Sequence, residues 1–204
     1  MRFFSGLIFG VLLVLLGFVI VFATGSYNVS ALSSPSKFEK SVATFTLDRS
    51  VAKRAPSTHN PFGATPETLR SGRAHYRENC VTCHGAPGVE ESEAGMGLNP
   101  PAPDLTLPAI QRMSDGELFW VISNGIRMTG MPAFSLTHKP DEIWKIVAFV
   151  RHLPELNDAE HKELKAASEA GGDHHEEAAG AEKEKAEKGG GQEAASPVAT
   201  PGRK

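Results

Sequence analysis

The sequence predicts an all-α fold: one small helical domain, preceded by a single N-terminal transmembrane helix. Three observations carry it. An uncharged apolar run fills Leu7 to Ala23. Three segments, opening at Thr65, Ser114 and Pro140, pair helix-start residues with apolar positions at helical spacing. Stretches rich in Gly and Pro join them, and no alternating β-branched run precedes Asn79. The chain divides into an anchor (1–25), a linker (26–64), the helical domain (65–156) and a charged tail (157–204).

With Phe3 and Phe4, the first run approaches the ~20 residues that span a bilayer. A cleavable signal peptide is the competitor, since Val21-Phe22-Ala23 and Ala23-Thr24-Gly25 are small-residue cleavage contexts. Length favours an uncleaved anchor, and either reading carries the following domain across a membrane. Residues 26–60 show no sustained period and read as a flexible coil spanning roughly 30–35 Å on average. Phe45 to Leu47 offer an alternative, a strip packed on the domain. Lys37, Lys40, Arg49, Lys53 and Arg54 are positioned either in solvent or near lipid headgroups.

Thr65-Pro66-Glu67 supplies an N-cap hydroxyl, a proline at N1 and an acid in the first turn of a helix running to about Asn79. Gly72 and Tyr76 share one face, and the glycine invites close approach of another helix. Directly after comes Cys80-Val81-Thr82-Cys83-His84, which holds both cysteines of the chain. C-x-x-C-H is the signature of covalent haem attachment. Each thiol can form a thioether to a vinyl group, with the adjacent imidazole beneath the iron. The competing readings are a thioredoxin-like pair, a disulfide and part of a zinc site. The first lacks its strand-helix-strand context and the last lacks a second cysteine pair.

Residues 85–107 are loop chemistry, with Glu90, Glu91 and Glu93 bunched together. The Pro100-Pro101 carbonyls are candidates to accept the free ring N–H of His84, or these prolines merely stiffen the loop. Ser114-Asp115-Gly116-Glu117 is a capping box, followed by Leu118, Val121 and Ile122; Asn124-Gly125 ends that helix. Gly130-Met131-Pro132 then offers a soft sulfur ligand, the alternative being an ordinary core methionine. Met128 is second choice; Met96 and Met113 read as loop and packing residues. Pro140-Asp141-Glu142 begins the last helix, whose stripe comprises Ile143, Ile146, Val147, Phe149, Val150 and Leu153, with Pro154 as its stop.

Beyond Asp158 the tail is rich in Ala, Glu, Lys and Gly. Ala159 to Ala170 is expected to be transiently helical and the remainder disordered. His174-His175 beside Glu176-Glu177 is a weak metal-binding alternative to a solvating tail.

From about Thr65 to Leu156 the chain resembles the class I cytochrome c family, in its small membrane-anchored bacterial monohaem form. The match rests on Gly72, Tyr76 and Cys80-x2-Cys83-His84-Gly85, then Asn99 to Leu105, then Gly130-Met131-Pro132, then Asp141-Glu142-Ile143-Trp144 running to Leu153, all in order. The resemblance implies one haem c, attached through Cys80 and Cys83 with its iron held by His84 and Met131. It also implies that the last helix crosses the first near Gly72 and Tyr76. The family's haem is attached outside the cytoplasm, which implies the periplasmic face of a bacterial inner membrane.

The functional expectation is a membrane-tethered electron carrier, not an enzyme, serving redox protein partners in or at the membrane. A cytochrome subunit of a periplasmic dehydrogenase or oxidase complex is the alternative, and a gas-binding haem sensor ranks third. No catalytic base, phosphate loop or nucleophile arrangement appears. A net charge of −3 gives no footing for nucleic acid.

Overall fold

The computed structural model describes residues 2–172. In chain order the helices are α1 (Arg2–Ala23), α2 (Lys37–Arg54), α3 (Pro66–Asn79), α4 (Val81–His84), α5 (Glu93–Met96), α6 (Pro108–Gln111), α7 (Asp115–Asn124), α8 (Pro140–His152) and α9 (Asp158–Gly172). Short 3-10 turns lie at Phe134–Leu136 and Leu153–Glu155. Among the described residues there is no strand, only a bridge between Ala86 and Val89.

Helix α1 is long and apolar enough to cross a bilayer, a test that a signal sequence near an amino terminus also passes. Its large apolar side chains are uncovered by protein. The helix ends where Thr24 turns its hydroxyl back onto the Ile20 carbonyl at 2.7 Å and Gly25 takes φ +67°.

The expectation of a flexible coil through 26–60 is corrected by α2. Ser36 caps it, its hydroxyl accepting from the Glu39 N–H at 3.1 Å. Val51 is buried, and the helix packs against α7. Its apolar residues form two narrow stripes on opposite sides, Phe38–Val42–Phe45 and Leu47–Val51, so no single period shows in the sequence. Two further ties shorten the slack. The Asn99 side-chain amide donates to the Ala31 and Ser33 carbonyls at 2.8 and 3.0 Å. That of Asn60 donates to the Trp144 carbonyl at 2.8 Å.

The domain is organised by α3 crossing α8. A β-carbon at Gly72 would overlap the Lys145 carbonyl oxygen and stand 2.8 Å from the Phe149 β-carbon, so only glycine lets the backbones meet here. Tyr76 is fully buried, its ring 5.4 Å from Phe149. Ile143, Ile146, Val147, Phe149, Val150 and Leu153 are all buried, as the stripe predicts. At about 1.5–3 kcal/mol for each large apolar side chain, this helix is the main apolar contributor. The reach of Arg151 fixes its far end: it donates to Asp115 at 2.9 Å and to the Gln111 and Met113 carbonyls. The α7 capping box of Ser114 with Glu117 is present.

The expectation of a solvating tail from 157, helical only transiently over Ala159 to Ala170, is corrected as far as Gly172: the helix there is packed on the domain. Helix α9 buries Leu164 and packs on α3 and α4. Arg73 pairs with Glu160 at 2.6 Å and Glu163 at 3.0 Å, Arg77 with Glu163 at 2.8 Å, and the Ser168 hydroxyl donates to the Glu90 carbonyl at 2.8 Å. These partners lie far away in sequence, so composition alone read the segment as solvated. The helical unit begun at Thr65 therefore runs past Leu156. His174, His175, Glu176 and Glu177 lie outside the described residues.

Candidate functional site

Helix α3 stops at Asn79, Cys80 is the single non-helical residue, and α4 carries the rest of the motif. The Cys83 and His84 N–H groups donate back to the Cys80 carbonyl at 3.1 and 2.9 Å, so both thiols stand on one tight turn. Gly85 closes it at φ +58°, and a β-carbon there would overlap the Val89 carbonyl. Tyr76 braces the same point: its buried hydroxyl donates to the Gly85 carbonyl at 2.7 Å. Sequence reasoning placed Tyr76 on the packing face without finding this bond.

Neither cysteine is in a disulfide. Burial, with the neighbouring Cys83 adding to it, pushes the Cys80 thiol up to about 12; burial also raises that of Cys83. A disulfide-exchange pair needs the opposite, a thiol lowered toward neutrality. Among the described residues no three His, Cys, Asp or Glu side chains converge to hold an ion. The environment fits thiols committed to another bond.

His84 Nδ1 lies 2.8 Å from the Pro103 carbonyl oxygen. A carbonyl only accepts, so Nδ1 carries the proton and Nε2 presents its lone pair. Burial lowers the imidazole pKa against the opposing pull of that hydrogen bond, favouring the neutral ring that metals bind. The orienting carbonyl is thus Pro103 rather than Pro100 or Pro101. Three prolines in one loop look alike in sequence, and only the loop's path selects among their carbonyls.

Met131 is half-buried and packs against the same hydrophobic cluster that contains Cys80 and Val81. Its loop is closed locally: the Thr129 hydroxyl donates to the Ile126 carbonyl at 2.7 Å, and the Ile126 N–H to the Met131 carbonyl at 3.3 Å. Gly125, at φ +63°, leaves a β-carbon's room to the Met131 and Pro132 carbonyls. Gly130 lies against the Leu98 side chain, bringing the loop to the segment that leads into the prolines. Met128 is 90% exposed and Met96 64%, so neither packs on the core as Met131 does. Met113 packs against the core beside the Arg151 hydrogen bonds.

The residues present fit a haem. Two thiols outside any disulfide, an imidazole with its Nε2 lone pair free and a half-buried thioether are donors of the types such a group takes. Leu105, Ile110, Phe119, Met131 and Phe134 pack on the core while only partly buried, so apolar surface remains at the periphery of the same cluster.

Comparison with known proteins agrees. Residues 67–150 match the family described as cytochrome c oxidase, cbb3-type, subunit III. A stretch of 85 residues, 42% of this chain, is 32% identical to the 1-butanol dehydrogenase (cytochrome c) of Thauera butanivorans. The stretch covers 11% of that protein's length.

Proposed function

Taking residues 67–150 as a cytochrome c domain, we propose that the chain is a membrane-tethered, single-haem electron carrier. Covalently attached haem c supplies one-electron exchange at iron. Everything else is the work of this chain's residues. Cys80 and Cys83 would tether the porphyrin, and His84 would bind the iron through Nε2. The Pro103 carbonyl fixes the imidazole's tautomer, and Met131 would be the second protein ligand, which would raise the potential relative to a second nitrogen ligand. With His84 and Met131 both bound to it, the iron would have no position for a substrate, which supports a carrier over an enzyme.

One observation carries the reading: an Nδ1-protonated imidazole follows two unpaired thiols on a single turn. One C-x-x-C-H in the sequence supports one haem. In this proposal α1 anchors the chain in a bacterial inner membrane, with the haem domain on the periplasmic side, exchanging electrons with redox proteins in or at that membrane.

The test is the ferric optical spectrum of the membrane-isolated holoprotein, beside that of Met131→Ala. A weak far-red sulfur-to-iron band in the wild type, lost in the variant, is the expected result. A wild type without the band, or one that binds carbon monoxide freely, would overturn the ligation.

A second reading, a cytochrome subunit of a larger redox complex, is favoured by the names of the matched family and relative. Purification from membranes separates the two, giving a stable partner in one case and a lone small protein in the other.

A further inference from the structure

We infer that the N-terminal half of α2 is a second membrane contact, lying on the anionic surface of the bilayer that holds α1 with Phe38, Val42 and Phe45 seated among the lipids. This rests on reading α1 as an anchor.

Phe38, Val42 and Phe45 recur at the i, i+4, i+7 spacing of one helix face, and no described residue covers them: Phe38 is 79% exposed and Phe45 62%. The opposite side, through Leu47 and the buried Val51, is the one turned to the domain. The helix is thus amphipathic in two directions, docked on one and open on the other.

Its position points to lipid. The rings of Phe18 and Phe22 stack near the end of α1, and Phe22 lies 6.0 Å from Tyr27 just beyond it. The Glu39 carboxylate in the first turn of α2 holds the Tyr27 phenol above its usual range. Only residues 24–36 join α1 to α2, so the open stripe begins close in sequence to the exit of α1.

Charge agrees. Helix α2 carries five basic residues against two acidic ones, within a chain whose net charge is −3. The Arg49 guanidinium sits 5.4 Å from the Phe45 ring centroid, a cation beside the ring where headgroup phosphates would lie. A second copy of the chain is the weaker occupant. Two phenylalanines and a valine offer roughly 500 Å² at most, below the about 800 Å² per partner of a stable interface.

The test uses the full-length holoprotein in vesicles of phosphatidylethanolamine and phosphatidylglycerol. Single cysteines replace Phe38, Val42, Thr44 or Phe45 in α2, or Val14 in α1. Each takes a nitroxide, since thioethers occupy the native thiols. Collision with oxygen against a water-soluble nickel chelate then reports depth. Labels at 38, 42 and 45 should sit about 5–10 Å below the phosphates, with Thr44 remaining in water. If Val14 is deep while 38, 42 and 45 meet nickel as Thr44 does, the inference fails and the anchor stands. Labels shielded from both reagents would place protein on the stripe and also defeat it. A Val14 label reached by nickel would sink the anchor and the inference together.

Discussion

Gly72→Ala sets two effects of opposite sign against each other. In an exposed helix interior the change stabilises by about 1 kcal/mol through propensity. Here the added methyl would overlap the Lys145 carbonyl oxygen and lie 2.8 Å from both the Lys145 carbonyl carbon and the Phe149 β-carbon. Two of those atoms are backbone in the middle of α8 and cannot rotate away. Helices α3 and α8 must separate, loosening the most extensive helix pairing in the domain and the Tyr76–Phe149 contact within it. Overpacking of this kind costs about 1–3 kcal/mol, and rigid neighbours push it to the upper end. The net loss is about 2 kcal/mol, which lowers the melting temperature of a domain this size by about 10 °C. Thermal melts of the two holoproteins, followed by far-UV circular dichroism and Soret absorbance together, make the comparison. An alanine variant as stable as wild type or more so would mean that propensity wins. The close crossing, and the reason for glycine at 72, would then be wrong.

Tyr76→Phe should cost about 1–3 kcal/mol, because it strands the buried Gly85 carbonyl, and denaturant titration measures it. Met128→Gly should stabilise by about 0.5–1 kcal/mol, since Met128 holds φ +61° while 90% exposed, and should leave the far-red band intact. Loss of the band in that variant would make Met128 the ligand. For Glu160, burial raises the pKa, but hydrogen bonds from Asn157 and His152 and the charges of His152 and Arg73 bring it below the usual value. Its contribution is therefore present above the unfolded carboxylate range and lost as pH falls through the folded pKa. Glu160→Gln should flatten the acid limb of a stability-against-pH curve; an unchanged limb would remove Glu160 from acid unfolding.

Local signals made much of this domain legible. Thr65-Pro66, Ser114 with Glu117, and the stripe from Ile143 to Leu153 each announce their helix through caps or periodicity, and each helix is there. The attachment turn was equally plain, because its chemistry is consecutive in sequence. What stayed hidden depends on distant partners. Helix α9 has a single large buried side chain, Leu164, and its fixing charges pair with Arg73 and Arg77 more than eighty residues earlier. Helix α2 spreads its apolar residues over two sides, which cancels the periodic signal. Pro103 was chosen over its neighbours by the path of a loop. Met131 packs on the core while Met128 is exposed, a difference that only the folded chain shows.

The Asn99 clamp on Ala31 and Ser33 changes what kind of search the haem domain can make. A free 35-residue coil would let it sweep a wide hemisphere and visit partners in turn. Pinned at Ala31, the leash from Ala23 is eight residues long and reaches at most about 28 Å when taut. With α1 as an anchor, such a domain would be a short-armed relay. Its partners would have to come to it by lateral diffusion or stand permanently alongside, so the frequency of electron exchange would follow the crowding of the membrane more than the swing of the tether.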